Sequence, residues 1–288
     1  MTDTFDQSSR SRILFQDAPT CSVDVGGTAF VYRELGPKTG VPVILLNHLG
    51  GQLDNFEPRI VDGLAATRRV IAFDNRGIGA SGGKTPSTIS EMARDAVAFI
   101  RALGFGEVDL LGFSLGGMVA QEIVLTEPKL VRRLILAGTG PAGGEGMDKV
   151  TPVTIIDVMK GWLTFRDPKY YLFFTTTPNG HRAANAFLQR LKERKNNRDK
   201  AVSLSAFGAQ LKAIKSYGRQ TPQDLSAIRI PTLVANGDHD RMVPSSNTHD
   251  LARRIPGAQL VIYEDAGHGG IFQNYADFVP KAAAFLAE

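Results

Sequence analysis

Cysteine is nearly absent. The single Cys21 among 288 residues permits no intrachain disulfide, no Cys-x-x-Cys redox pair and no thiolate-rich zinc site, and it suits a reducing compartment. Long apolar runs are missing too: the longest, residues 41–46, is interrupted by Pro42 and falls far short of the roughly 20 residues needed to cross a bilayer. Residues 1–15 carry Asp3, Asp6, Arg10 and Arg12 without a continuous apolar stretch, so no secretory signal is expected there and the cytoplasm is the expected location. Nor is one sign of charge in excess. Lys and Arg number 33 against 29 Asp and Glu, and a formal +4 spread over this length implies neither nucleic acid nor a membrane surface as partner. What is present is ordinary globular material: 43% hydrophobic and 22% charged residues exclude long disorder, collagen-like repeats and coiled coil.

The pattern alternates short apolar runs with helical ones, the signature of a mostly parallel sheet of about eight strands flanked by helices. Residues 22–25 and 29–35, joined by Gly26-Gly27, read as an antiparallel hairpin at a sheet edge. Residues 41–47, 69–73, 108–113, 130–137, 230–235 and 259–263 read as buried strands bounded by turn residues. Thr88 and Glu91 have capping-box spacing ahead of an apolar stripe that ends at Gly104. A second helix follows Ser114 and stops before Pro128.

Residues 145–226 break the alternation with apolar residues at helical spacing, for example Ala183, Phe187, Leu188 and Leu191. They predict a helical cap inserted into a core formed by residues 1–144 and 227–288. The cap holds nine of the 23 aromatics, most expected to pack its own small core and a few to face a pocket. The charge run 192–200, broken by Glu193 and Asp199, reads as a solvated cap surface.

Gly112-Phe113-Ser114-Leu115-Gly116 follows an apolar strand and opens a helix, the context of the nucleophile elbow G-x-S-x-G. The turn is so tight that only glycine is expected to fit two positions before and after the serine. Taken alone, the motif also matches a glycine-rich helix start with Ser114 as its N-cap. A serine hydroxyl needs a base, and the base needs an orienting carboxylate. Of five histidines, His268 lies in the glycine-bracketed loop Gly267-His268-Gly269-Gly270 just past the last strand. His181 and His249 read as surface residues, and His239 as a loop side chain beside the acid. The loop after residues 230–235 offers two carboxylates, Asp238 and Asp240, at the carboxyl end of the sheet where open α/β folds bind ligands.

Ser114, then an aspartate, then His268 is the chain order of α/β-hydrolases. From about Cys21 onward the sequence resembles that superfamily, specifically its haloperoxidase-like and lactonase-like esterase branch. The family's Gly-x-x-Asp-x-x-Val-Pro falls on Gly237, Asp240, Val243 and Pro244, which selects Asp240, and its final Gly-His falls on Gly267-His268. The resemblance places Asn47-His48-Leu49-Gly50-Gly51 at the oxyanion loop, with Leu49 and Leu115 supplying backbone N–H groups. Relatives have His-Gly where this chain has Asn47-His48, which leaves the role of His48 open. Asp74 to Ser81 is similar to a loop whose role in the family is structural, and its Gly77–Gly82 match to a dinucleotide fingerprint lacks a helix start.

The resemblance implies a cofactor-free, metal-free serine hydrolase acting on a small apolar carboxylic ester or lactone through an acyl-enzyme, in a chain that could form a homo-oligomer. Perhydrolysis, carbon–carbon bond hydrolysis and acyl transfer use the same three residues. A ligand-binding receptor on the same scaffold is the reading from another class. Natural substrate and acyl length are not encoded in any motif.

Overall fold

The computed structural model describes residues 13–288, so most of the N-terminal stretch read above for a targeting signal lies outside the described residues. Eight strands form one sheet: β1 (Cys21–Val25), β2 (Thr28–Leu35), β3 (Val43–Leu46), β4 (Val70–Phe73), β5 (Val108–Phe113), β6 (Val131–Ala137), β7 (Thr232–Gly237) and β8 (Gln259–Tyr263), in the order β1-β2-β4-β3-β5-β6-β7-β8. The β1–β2 hairpin is antiparallel and β2 joins β4 antiparallel; every later pairing is parallel. Strands β3, β4 and β5 are buried along their whole length, which explains their unbroken apolar sequences. Two strands begin later than the sequence suggested. Pro42 and Pro231 have no N–H to give to a ladder, so β3 starts at Val43 and β7 at Thr232.

Among the described residues ten α-helices accompany the sheet: α1 (Pro58–Leu64), α2 (Ile89–Ala102), α3 (Leu115–Thr126), α4 (Val150–Leu163), α5 (Lys169–Leu172), α6 (Pro178–Arg190), α7 (Leu204–Gly218), α8 (Ser246–Arg254), α9 (Gly270–Gln273) and α10 (Tyr275–Ala287). Thr88 caps α2 by accepting the Glu91 N–H at 3.2 Å, and Gly104 takes the left-handed conformation just past its end. Among the described residues no helix is long and apolar enough to cross a membrane.

Helices α4 to α7 lie between β6 and β7, where the sequence predicted an insertion. Their aromatics divide as expected only in part. Tyr170, Phe174, Phe187 and Tyr217 are buried, whereas Trp162 and Phe165 stand almost fully in solvent at 79% and 98% exposure. His181 is not a plain surface residue; its ring stacks on Tyr170 with centroids 5.3 Å apart. The 192–200 run is likewise not simply a solvated face. Arg194 is buried and donates to the Gln16 and Ala18 carbonyls, Glu193 pairs with Arg59, and Asp199 reaches the buried Asp54, Leu53 and Asp74 region. These charges tether the inserted segment to the sheet's loops, so their long apolar stems and heads are used in packing.

Candidate active site

Strand β5 ends at Phe113 and α3 starts at Leu115, leaving Ser114 alone in the turn at φ 57° and ψ −117°. Such a conformation costs of order 1–3 kcal/mol in a non-glycine residue and persists only where neighbours enforce it. They do: Ser114 N–H donates to Ala137 O, while its carbonyl accepts from Gly117 N–H, Met118 N–H and the Thr139 hydroxyl. A methyl group at Gly112 would lie 2.5 Å from the Gly116 carbonyl oxygen, and one at Gly116 would run into the Leu46 carbonyl. The Ser114 side chain makes no helix-cap hydrogen bond, so the N-cap alternative does not hold.

The loop after β7 separates the two aspartates. Asp240 is buried, accepting Met242 N–H at 2.8 Å and Val243 N–H at 3.0 Å on Oδ1, with Asn236 Nδ2 at 3.1 Å and His268 Nδ1 at 2.7 Å on Oδ2. Asp238 instead pairs with the exposed His239 and accepts Ala266 N–H, and these contacts hold its carboxyl below the usual range against a desolvation that opposes them. A carboxylate only accepts, so His268 Nδ1 is the donor of this bond. The Nε2 of the same ring is buried and has no hydrogen-bond partner among the described residues. The imidazole is held between Phe113 and Phe173, 4.9 and 5.5 Å from their ring centroids, and Gly269 N–H donates to the Phe173 carbonyl at 2.7 Å. Glycine brackets His268 because a side chain at Gly267 would meet that same carbonyl.

The loop of residues 47–51 is a web of hydrogen bonds. Asn47 accepts His48 N–H and donates to Gln52 O; Gly51 N–H closes a turn on His48 O; and Gly50 N–H donates across to Gln210 Oε1 on α7 at 2.8 Å. No acceptor among the described residues takes the N–H of Leu49 or of Leu115. His48 is buried behind and beside this loop, its Nδ1 within 2.8 Å of Leu49 O and its ring edge-on to Phe173 and Phe113. Burial, reinforced by the Lys169 charge, holds the ring neutral down to about 3.

Ser114, His268, His48, Leu49 and Gly50 line one cavity of about 350 Å³ together with Met242 and a wall from the inserted helices that includes Thr154, Lys169, Phe173 and Phe207. The structure therefore joins Asp240 to His268 and puts Ser114 and His268 on the wall of the same cavity, without a Ser114–His268 hydrogen bond. Three contacts were not signalled by sequence: Asn236, which helps fix Asp240; Phe173, which holds the His268 loop; and Gln210, which holds the loop of residues 47–51. Among the described residues no three His, Cys, Asp or Glu side chains gather as for a metal ion, and the first helix after Gly77–Gly82 starts at Ile89.

Residues 41–275 match the family model of the alpha/beta hydrolase fold. A RutD protein of Azorhizobium caulinodans, named for carbamate hydrolysis, is 30% identical over 255 residues that cover 84% of this chain and 89% of that one. A poly(3-hydroxyalkanoate) depolymerase of Ectopseudomonas oleovorans is 29% identical over 248 residues, covering 86% of this chain and 84% of its own length. Among solved structures, an alpha/beta hydrolase fold protein from Chitinophaga pinensis superposes with a TM-score of 0.90 at 36% identity, over 95% of this chain and 99% of that one. Matched along most of its length, and with named hydrolases among its relatives, the chain is an enzyme of the α/β-hydrolase fold family.

Proposed function

We propose that the protein hydrolyses a carboxylic ester or lactone through an acyl-enzyme formed on Ser114. The observation that carries this reading is the buried Asp240–His268 pair, whose unengaged Nε2 borders the same cavity as a serine held in a strained elbow. Ser114 Oγ attacks the carbonyl carbon while His268 Nε2 takes its proton; a catalytic hydrogen bond absent in the empty site forms as substrate seats the hydroxyl. Asp240 keeps the proton on Nδ1 and stabilises the imidazolium. The uncommitted Leu49 and Leu115 N–H groups receive the oxyanion, each donor being worth about a hundred- to a thousandfold in rate. His268 returns the proton to the leaving alkoxide, the tetrahedral adduct collapses, and water repeats the sequence to free the acid. The chain's own residues, substrate and water carry every step.

Residues 145–226 act as a cap that walls the cavity and selects the substrate. Relatives named for hydrolysing a carbamate and for depolymerising a poly(3-hydroxyalkanoate) support attack at a carbonyl. The test is a panel of p-nitrophenyl esters and small lactones against wild type and Ser114→Ala. Turnover lowered at least about a thousandfold in the variant supports the reading; unchanged turnover overturns it, and tight binding with negligible wild-type turnover favours a receptor.

A further inference from the structure

Asp167 and Lys169 are the Asp, Glu, Lys or Arg side chains in the cavity wall, whose other polar side chains are Ser114, Thr154, His48 and His268. Lys169 opens α5, and Phe173 N–H donates back to Lys169 O, so the two side chains lie one helical turn apart on the same face. Phe173 in turn touches the rings of both His48 and His268. The Lys169 ammonium is accordingly the strongest charge acting on the His48 ring. It is also withdrawn from solvent: the side chain is 19% exposed, against 38% for Asp167, whose carboxylate oxygens lie 3.1 and 3.2 Å from Nζ. Asp167 occupies only part of the three-donor capacity of an ammonium.

The surrounding charges lean the same way. Lys160 Nζ sits over the Tyr171 ring and the Arg166 guanidinium over Tyr170, each 4.3 Å from the centroid, and neither has a carboxylate partner among the described residues. Arg241 pairs with Asp157 at 2.7 Å. Of these charges only Lys169 and Asp167 line the cavity; Lys160, Arg166 and Arg241 lie outside its wall, where with Asp157 they leave the neighbourhood of α5 net positive.

We infer that Lys169 is a specificity-determining residue that receives a carboxylate carried by the substrate, so that the preferred ester or lactone is anionic. This rests on the hydrolase reading and narrows it. Lys169 and Ser114 line the same cavity of about 350 Å³, so the carboxylate and the reacting carbonyl belong to one small molecule. Monoesters of short dicarboxylic acids carry both groups in one such molecule. Asp167 competes with the substrate for the same ammonium.

The test compares monoethyl adipate with its neutral isostere, the primary amide of the same monoester. In turnover, the wild type is expected to favour the acid about tenfold in kcat/KM, the lower end for a charge-assisted hydrogen bond that is partly screened. The ratio falls to near one in Lys169→Met, mainly through KM, is partly retained in Lys169→Arg, and rises in Asp167→Asn. The same comparison by calorimetric binding to Ser114→Ala, with and without Lys169→Met, reads recognition without any chemical step. Failure of the ester-hydrolase reading appears as absent turnover of both compounds. Equal binding and turnover of acid and amide by the wild type, or a ratio unmoved by Lys169→Met, overturns the assignment of Lys169.

Discussion

Gln210 accepts the backbone N–H of Gly50 at 2.8 Å, so a helix of the inserted segment holds the loop that carries the Leu49 amide. Gly50 itself adopts the left-handed conformation, φ 67°, and a methyl group added there would meet the Phe207 ring of the same helix. Two residues of α7, Phe207 and Gln210, therefore face this loop. Replacing Gln210 by Leu removes one hydrogen bond, worth about 0.5–1.5 kcal/mol. If it is felt at the oxyanion site, kcat falls roughly three- to tenfold while KM changes less than about twofold. Steady-state kinetics on a p-nitrophenyl ester checks this; a change confined to KM would place Gln210 in substrate binding instead.

Asp240→Asn keeps the shape of the side chain but presents an amide to His268 Nδ1, which favours the wrong tautomer. A loss of about a thousandfold or more in kcat is expected. Asp238→Asn disturbs only the exposed pair with His239 and the Ala266 N–H bond, so its kcat should stay within a few-fold of wild type. The two rates, measured side by side on one ester, assign the carboxylate.

Gly116→Ala sets a methyl group against the Leu46 carbonyl at the end of β3, where neither backbone can give way without moving the elbow. Denaturant unfolding should show a loss of about 1–3 kcal/mol, with activity falling further. Gly106 offers the control: an added methyl there meets open space, and Gly106→Ala should leave both unchanged.

His48 stays neutral down to about 3 in the folded chain, against an ordinary value of 6.5. Between those limits the unfolded chain binds a proton that the folded one refuses. Its contribution is therefore fully present above about pH 6.5 and is lost as the pH falls toward 3, at about 1.4 kcal/mol per unit. Denaturation of wild type and His48→Phe at pH 6.5 and 5 should show the wild type losing roughly 2 kcal/mol more than the variant. Equal losses would mean that the ring takes up its proton without cost.

The sheet and the elbow were legible because their determinants are local. An apolar strand, a glycine on each side of Ser114 and a helix start occupy consecutive residues, and the backbone geometry follows from sterics alone. Asp240 was harder: chemistry at the residue level left it level with Asp238, and only the resemblance to a family pattern made the choice between them. Phe173, Gln210 and the buried Arg194 could not be read, since each acts on a partner 90 or more residues away and no periodicity encodes such a pairing. His48 was open for the same reason, its ring being packed against Phe113 at the end of β5 and Phe173 just past α5, both distant in sequence.

Trapping the covalent intermediate tests the central claim most directly. Wild type mixed with excess p-nitrophenyl acetate and acid-quenched within milliseconds should give a burst of nitrophenol, and peptide mass mapping should place one acetyl group on Ser114. Ser114→Ala should show neither. An acetyl group on another residue, or full steady-state turnover in Ser114→Ala, would contradict the account.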